Sequence, residues 1–267
     1  MGHLRTGSLP RTKKWSAIVS AVGDGSDIDE SSFSDIADKT LDASNRFLRK
    51  LPDDPMLQKC FQFLIVLSVS GKAENVQERA EKLGLNIEGS PTKLQLSRSL
   101  RSWLSDVKLS DCNPEFSSLA RKATIDTLTS WFNKHSDTPQ IDLFSKSTDP
   151  FSAWRSASNG GGFSELSRSF FANFTQRYLN YFLTRTASSQ IKTLEDRKKF
   201  GIAVQKNAES ISTHAFETSK LVQSFSAGWY NKHTSDYKIP SSQNIQGYLR
   251  HSLEKIREEF RRQKEVG

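Results

Sequence analysis

The sequence repeatedly pairs apolar stretches of helical period with residues that begin helices. Three of the expected helices begin with a side chain suited to capping directly before a proline, at Ser90-Pro91, Asn113-Pro114 and Asp149-Pro150. Such a side chain accepts hydrogen bonds from the free N–H groups of the first turn, and proline fits the first helical position. Alternation typical of paired strands is missing from the sequence. The pattern predicts an all-α protein, a helical bundle of roughly eight helices.

Changes in composition divide this bundle into expected parts. We expect a basic segment with a short helix at 1–23, and an N-terminal helical bundle at 24–135. A loop and glycine-rich hinge should follow at 136–163, and a C-terminal bundle of long helices at 164–267. The two bundles are expected to pack together as helical subdomains. The long helices are expected at 164–187, 193–232 and 243–264.

Two patterns in the C-terminal half decide how these helices are expected to pack. Gly160-Gly161-Gly162 indicates a flexible hinge, with Ser164 capping the helix that follows. From Val204 to Trp229, apolar residues recur at alternating steps of four and three, the heptad pattern of helices that pack side by side. We expect this seam to pack within its own chain, and a homodimer through 204–229 is the alternative.

The most apolar run, Cys60 to Val69, predicts a central helix buried on most sides. The run is about half the length needed to cross a bilayer, so no transmembrane segment is expected. Cys60 is expected to be a small buried hydrophobe. With Cys112 as the second cysteine, the chain has no disulfide framework, which favours a reducing, cytoplasmic setting.

Motifs for catalysis or for a bound cofactor are missing from the sequence. The five histidines are scattered and neither cysteine belongs to a CxxC pair, so we expect no metal site and no cofactor. Asp35, Asp38 and Asp42 fall on one helical face, which is more typical of a solvated acidic surface than of a cation site. An enzyme assembled from dispersed residues stays open as a third class of function.

Charge is distributed unevenly along the chain, whose formal net charge is +8. Residues 1–23 carry four basic residues and no acid, whereas residues 24–42 carry seven acids and one lysine. Residues 154–206 carry nine basic residues and three acids. This separation favours an acidic partner, either nucleic acid or an acidic protein surface, although a surplus of lysine and arginine also simply solvates a surface.

One helix places arginines among aromatic residues. Arg177 and Arg185 share an arc with Leu166, Phe170, Phe171, Phe174, Tyr178, Tyr181 and Phe182. Three interpretations compete: Arg185 caps carbonyls or extends into solvent, the arginines pair with a carboxylate such as Asp196 or Glu217, or they contact nucleic acid. The candidate contacts for nucleic acid or a partner are Arg155, Arg168, Arg177, Arg185, Lys192, Arg197, Lys198 and Lys199.

Two further alternatives have weaker support. Residues 73–107, with Arg98 and Arg101 on the second helix, could be taken for a helix-turn-helix, but their connection is too long and Leu96, Leu100 and Leu104 already commit that helix to a core. The start of the chain, Met1 to Thr6, fits the loose pattern for myristoylation, and residues 1–23 also resemble a transit peptide.

Together these features predict a non-enzymatic helical subunit or adaptor that holds a protein partner. A bacterial accessory protein encoded beside enzymes, as in a defence-type operon, would fit this class. The alternative is a nucleic-acid-binding accessory protein that uses the basic, aromatic region 154–206.

Overall fold

The computed structural model describes residues 30–87, 89–136 and 149–266. All regular elements in these ranges are helical, which confirms the predicted all-α class. The predicted helix in 1–23 and the signals for lipidation or targeting lie outside the described residues. The described ranges contain eleven α-helices, more than the expected number: α1 Glu30–Leu48, α2 Pro55–Ser70, α3 Val76–Lys82, α4 Lys93–Trp103, α5 Pro114–His135, α6 Ser152–Ala157, α7 Gly160–Gln190, α8 Leu194–Lys206, α9 Ala208–Thr218, α10 Lys220–His233 and α11 Ser242–Val266.

Two helices form the centre of the molecule. Twelve of the sixteen residues of α2 are buried, as the apolar run from Cys60 to Val69 predicts. The other central helix is α7, which packs against α1, α5, α9 and α10. One hydrophobic cluster includes residues from α1 through α11, so helices from both halves of the chain bury the same apolar surface. The division into two subdomains stays a prediction.

Helix starts follow the predicted caps in one case and differ in two. Asn113 caps α5 directly before Pro114, as expected. Ser90 does not cap α4, because Thr92 and Gln95 form a reciprocal capping box two residues later and satisfy two N–H groups. Asp149 accepts a hydrogen bond from the N–H of Phe151 (2.9 Å), so it closes a turn just before α6.

The glycine run is not a hinge and Ser164 is not a cap. Gly160 to Gly162 form the first turn of α7, whose cap is Asn159 through a 2.8 Å hydrogen bond from the N–H of Gly162. A Cβ at Gly162 would lie 1.8 Å from the carbonyl oxygen of Ser156 in α6. Gly162 is therefore needed for the close approach of two backbones, which holds α6 against α7.

The expected long helix at 193–232 is three helices, α8, α9 and α10, that break at Asn207 and Ser219. At each break a polar side chain bonds to a carbonyl four residues earlier: Asn207 to Ala203 (2.9 Å) and Ser219 to Ala215 (2.8 Å). Such bonds compete with the backbone ladder. The heptad seam nevertheless buries residues such as Ile211 and Val222 within the chain, where α9 and α10 pack on α7.

We expect Leu64→Ala or Leu67→Ala to lower the free energy of unfolding by about 2–5 kcal/mol, because both side chains are fully buried in α2. Leu94→Ala is the matched control, since Leu94 is 59% exposed and its truncation should cost less than about 0.5 kcal/mol. Chemical denaturation measures all three variants. Losses at Leu64 and Leu67 no larger than at Leu94 would contradict the central position of α2.

The close approach at Gly162 gives a second prediction. Gly162→Ala should destabilise the protein by about 1–3 kcal/mol or more, because the new methyl group meets the α6 backbone. Gly201→Ala, where the added Cβ has no neighbour within 4 Å, should instead stabilise by about 0.5–1 kcal/mol through helix propensity. Thermal melts compare the signs. Stabilisation by both changes would mean that the glycine run tolerates a side chain.

Candidate partner-binding groove

The basic residues predicted as contacts are spread over the structure. Arg155 pairs with Asp149 (2.9 Å) and donates to the carbonyls of Ala73 and Glu74, so it ties α6 to the segment after α2. The guanidinium of Arg168 lies 3.7 Å from the ring centroid of Phe216. These two arginines are engaged in contacts within the fold.

Four further candidates lie on α8 or just before it. Lys192, Arg197 and Lys198 are exposed, and Arg197 donates from Nε to the carbonyl of Ile191 (2.7 Å). Lys199 pairs with Glu195 at 3.5 Å. These residues form a solvated basic helix surface without an accompanying cavity among those found in the described part of the chain.

Arg177 pairs with a carboxylate and Arg185 extends into solvent, in line with two of the three interpretations, but the carboxylate is not one of those named. Arg177 pairs with Asp126 of α5, and neither Asp196 nor Glu217 is involved. Arg185 extends into solvent, where it donates to the hydroxyl of Tyr181 (2.7 Å) and lies 3.5 Å from the carboxylate of Glu115. Partial burial lowers the pKa of Arg177, but a guanidinium keeps its charge at neutral pH.

A wide groove, which we call the α4–α5 groove, opens beside Arg177. It has a volume of about 1250 Å³ and lies between α4, α5, the segment after α4 and the edge of α7. Its lining residues are Met56, Lys93, Ser97, Arg98, Leu100, Arg101, Ser102, Leu104, Ser105, Val107, Leu109, Ser118, Arg121, Lys122, Ile125, Asp126 and Arg177.

The rim of the α4–α5 groove is strongly basic. Six lining residues are basic and one is acidic; the basic ones are Lys93, Arg98, Arg101, Arg121, Lys122 and Arg177. Arg98, Arg101 and Lys122 are exposed and make no ion pair with the described residues. The uncompensated charge creates a positive potential over the groove that attracts a negatively charged ligand.

The floor of the groove is aliphatic. Leu100 projects from α4 and Leu104 follows directly after it, and both are buried, while Val107 and Ile125 are partly buried. Leu109 is 68% exposed on the segment after α4. Aromatic side chains are missing from the described lining, because Trp103 of α4 packs instead against Phe63 and donates to the carbonyl of Lys59.

A smaller pocket of about 600 Å³ continues the α4–α5 groove along α5 and α7. The two share Lys122 and Arg177, and the smaller one also includes Glu115, Tyr181 and Arg185. Of the candidate contacts predicted from the sequence, Arg177 and Arg185 are therefore the two brought to this face.

The sequence interpretation missed the groove because its basic residues come from three separate helices. In the sequence, Arg98 and Arg101 suggest only a DNA-reading helix, and no motif singles out Arg121 and Lys122. The sequence does place Arg98 and Arg101 next to Leu100 and Leu104 on one predicted helix, and this combination of basic and apolar residues is the signal that could have indicated the groove. The basic residues of α4 and α5 form one surface only because the two helices pack together, and sequence spacing does not show that contact.

The other clusters among the described residues are either buried between helices or exposed without a pocket beside them. Ser68 donates to the hydroxyl of Tyr230 (2.9 Å), and Lys72 lies 4.5 Å from the centroid of that ring, but Ser68 and Tyr230 are fully buried and hold helices together. Asp35, Asp38 and Asp42 are exposed on α1. In the described ranges no three His, Cys, Asp or Glu side chains are placed to hold a metal ion.

Comparisons with protein-family models, with curated proteins and with solved structures give no match. The proposed function therefore depends on the geometry of this chain. None of the helices in the described part of the chain is both long and apolar enough to cross a membrane.

The cysteines yield a prediction about reactivity. Burial raises the pKa of Cys60 to about 12, and it also raises the pKa of Cys112. Because the thiolate is the nucleophile, both thiols should stay unreactive towards Ellman's reagent at neutral pH in the native protein. Both should react after unfolding in guanidinium chloride. Rapid modification of Cys60 in the folded chain would contradict its assignment as a buried hydrophobe.

Proposed function

We propose that this chain is a non-enzymatic helical subunit. In the α4–α5 groove it binds a segment of a partner protein that carries both acidic and apolar side chains. The observation that carries this proposal is the combination of an aliphatic floor with a rim of six basic residues and one acid. An amphipathic segment with leucine-like residues on one face and carboxylates beside them complements both parts. Apolar burial supplies affinity, and charge supplies orientation and the rate of encounter.

The size of the groove favours a polypeptide segment over a small molecule. Its volume of about 1250 Å³ exceeds the range of about 300–1,000 Å³ in which small ligands usually bind. The adjoining pocket shares Lys122 and Arg177 with the groove, so the two cavities together form a longer basic surface.

The chemistry of the floor favours protein over nucleic acid. Single-stranded nucleic acid is held by aromatic side chains on which bases stack, and the described lining has aliphatic ones instead. The region 154–206, predicted for nucleic acid, commits Arg155 and Arg168 to contacts within the fold. Unpaired Arg98, Arg101 and Lys122 would still attract phosphates, so nucleic acid is an outcome that the experiment has to separate.

The wider setting proposed for this subunit follows from the sequence alone. A cytoplasmic location fits two cysteines that are both free and buried. A defence-type bacterial assembly and a homodimer through 204–229 stay hypotheses, and the burial of Ile211 and Val222 against α7 favours contact within one chain.

Selection from a displayed library of random 16-residue peptides tests the proposal with the full chain as target. We expect enriched peptides to combine Leu, Ile or Phe at helical spacing with Asp or Glu. Arg98→Glu combined with Arg101→Glu should weaken a selected peptide at least about tenfold, because attraction becomes repulsion on the rim. The control, Lys198→Glu with Lys206→Glu on α8, makes the same change in net charge away from the groove.

Two outcomes would overturn the proposed function. One is equal binding of the selected peptide to the groove variant and to the α8 control. The other is failure to enrich acidic peptides while fluorescent oligonucleotides bind at low salt and lose affinity in the groove variant, which would assign the groove to nucleic acid.

A further inference from the structure

Asp126 is the one acidic side chain among the described residues that line the α4–α5 groove. One of its carboxylate oxygens contacts Nη2 of Arg177, and the other lies 3.4 Å from Nζ of Lys93. It thereby connects α4, α5 and α7 at the mouth of the groove. About a quarter of its side chain is exposed (27%), as is a third of that of Arg177 (33%).

Arg177 and Lys93 together carry more N–H donors than the single carboxylate of Asp126 can accept from. A guanidinium carries five N–H donors in a fixed fork, and Asp126 is the acceptor that the described residues offer Arg177. An ammonium group carries three donors, and Lys93 reaches Asp126 only at the long distance of 3.4 Å. A second carboxylate arriving in the groove would find the same two cations, with Asp126 as its competitor.

We infer that Asp126 is an internal competitor whose place at Arg177 is taken by a carboxylate of the bound segment. This inference rests on the proposed function. Binding then exchanges one ion pair for another, so the partner's carboxylate gains less than it would at a free arginine. Asp126 also holds Lys93 and Arg177 in place in the free protein, so the cations are positioned before the partner arrives.

The exchange makes Asp126 a determinant of the affinity for acidic segments. A segment that lacks a carboxylate at this point leaves the Asp126–Arg177 pair intact and places an apolar or neutral group beside a charged pair. A segment with a carboxylate there brings two like charges to one guanidinium and turns the side chain of Asp126 towards solvent. The competitor lowers affinity for every acidic segment and favours rapid release.

Asp126→Asn tests this inference, because it keeps the shape of the side chain and removes its charge. Asp53→Asn is the matched control: it makes the same chemical change in a carboxylate that pairs with an arginine, Arg250 (3.1 Å), but lines neither the groove nor the neighbouring pocket. We expect Asp126→Asn to bind a selected acidic peptide about fivefold tighter or more, and Asp53→Asn to change affinity less than about twofold. Fluorescence anisotropy with the labelled peptide measures both.

A second measurement identifies the arginine that is exchanged. The peptide is remade with each Glu or Asp changed in turn to Gln or Asn, and each is titrated against the parent chain and against Arg177→Met. One peptide carboxylate should couple to Arg177, so that its loss weakens binding several-fold in the parent and has little effect in Arg177→Met. In the Arg177→Met background the gain from Asp126→Asn should disappear.

The outcomes separate this inference from the proposed function. Unchanged or weaker peptide binding by Asp126→Asn, with Arg98→Glu and Arg101→Glu still disruptive, would overturn the inference and leave the groove as the binding site. The absence of any coupling between peptide carboxylates and Arg177 would overturn it as well. A parent chain that binds no acidic peptide would instead overturn the proposed function. Melting curves confirm that each variant is folded.

Discussion

Six aromatic side chains of α7 are buried against helices from both halves of the chain: Phe163, Phe170, Phe171, Phe174, Tyr178 and Phe182. Phe61 of α2 contacts three of these rings, Tyr230 of α10 stacks on Phe163 with centroids 4.4 Å apart, and Phe116 of α5 meets Tyr178. Large rings supply much apolar area per residue, so this contact sets where the other helices lie. A narrow strip of α7 stays at the surface, and Arg177 lies on that strip beside α5.

Periodicity predicted the parts of this fold that depend on burial. The aromatic arc of α7 and the apolar run of α2 are both buried as expected, and Tyr181, at the edge of the arc, is half-buried. Features that depend on a single contact were not predicted. The regular heptad is interrupted at Asn207 and Ser219, whose side chains bond to the carbonyls of Ala203 and Ala215. Gly162 has no room for a Cβ because the carbonyl of Ser156 approaches it. The spacing of residues in the sequence reveals neither feature.

The candidate site was less accessible to sequence reasoning than the fold. A sequence shows which residues are charged but not which are already paired. Arg155 and Arg168, in the most basic region, have partners within the fold, whereas Arg98 and Arg101, on a helix that looked committed to the core, have none among the described residues. The groove also needs α4 and α7, which lie far apart in sequence, to pack against α5 together, and no local pattern encodes that arrangement.

The make-up of the rim determines how the groove responds to its surroundings. Four of its six basic side chains are arginines, and guanidinium groups do not lose their proton at any pH that a cell experiences. The positive charge that these four arginines bring to the groove is therefore constant. Under the proposed function, occupancy of the groove would respond to ionic strength and to chemical changes on the bound segment, so control of the assembly would reside in the partner and not in the chain that holds it.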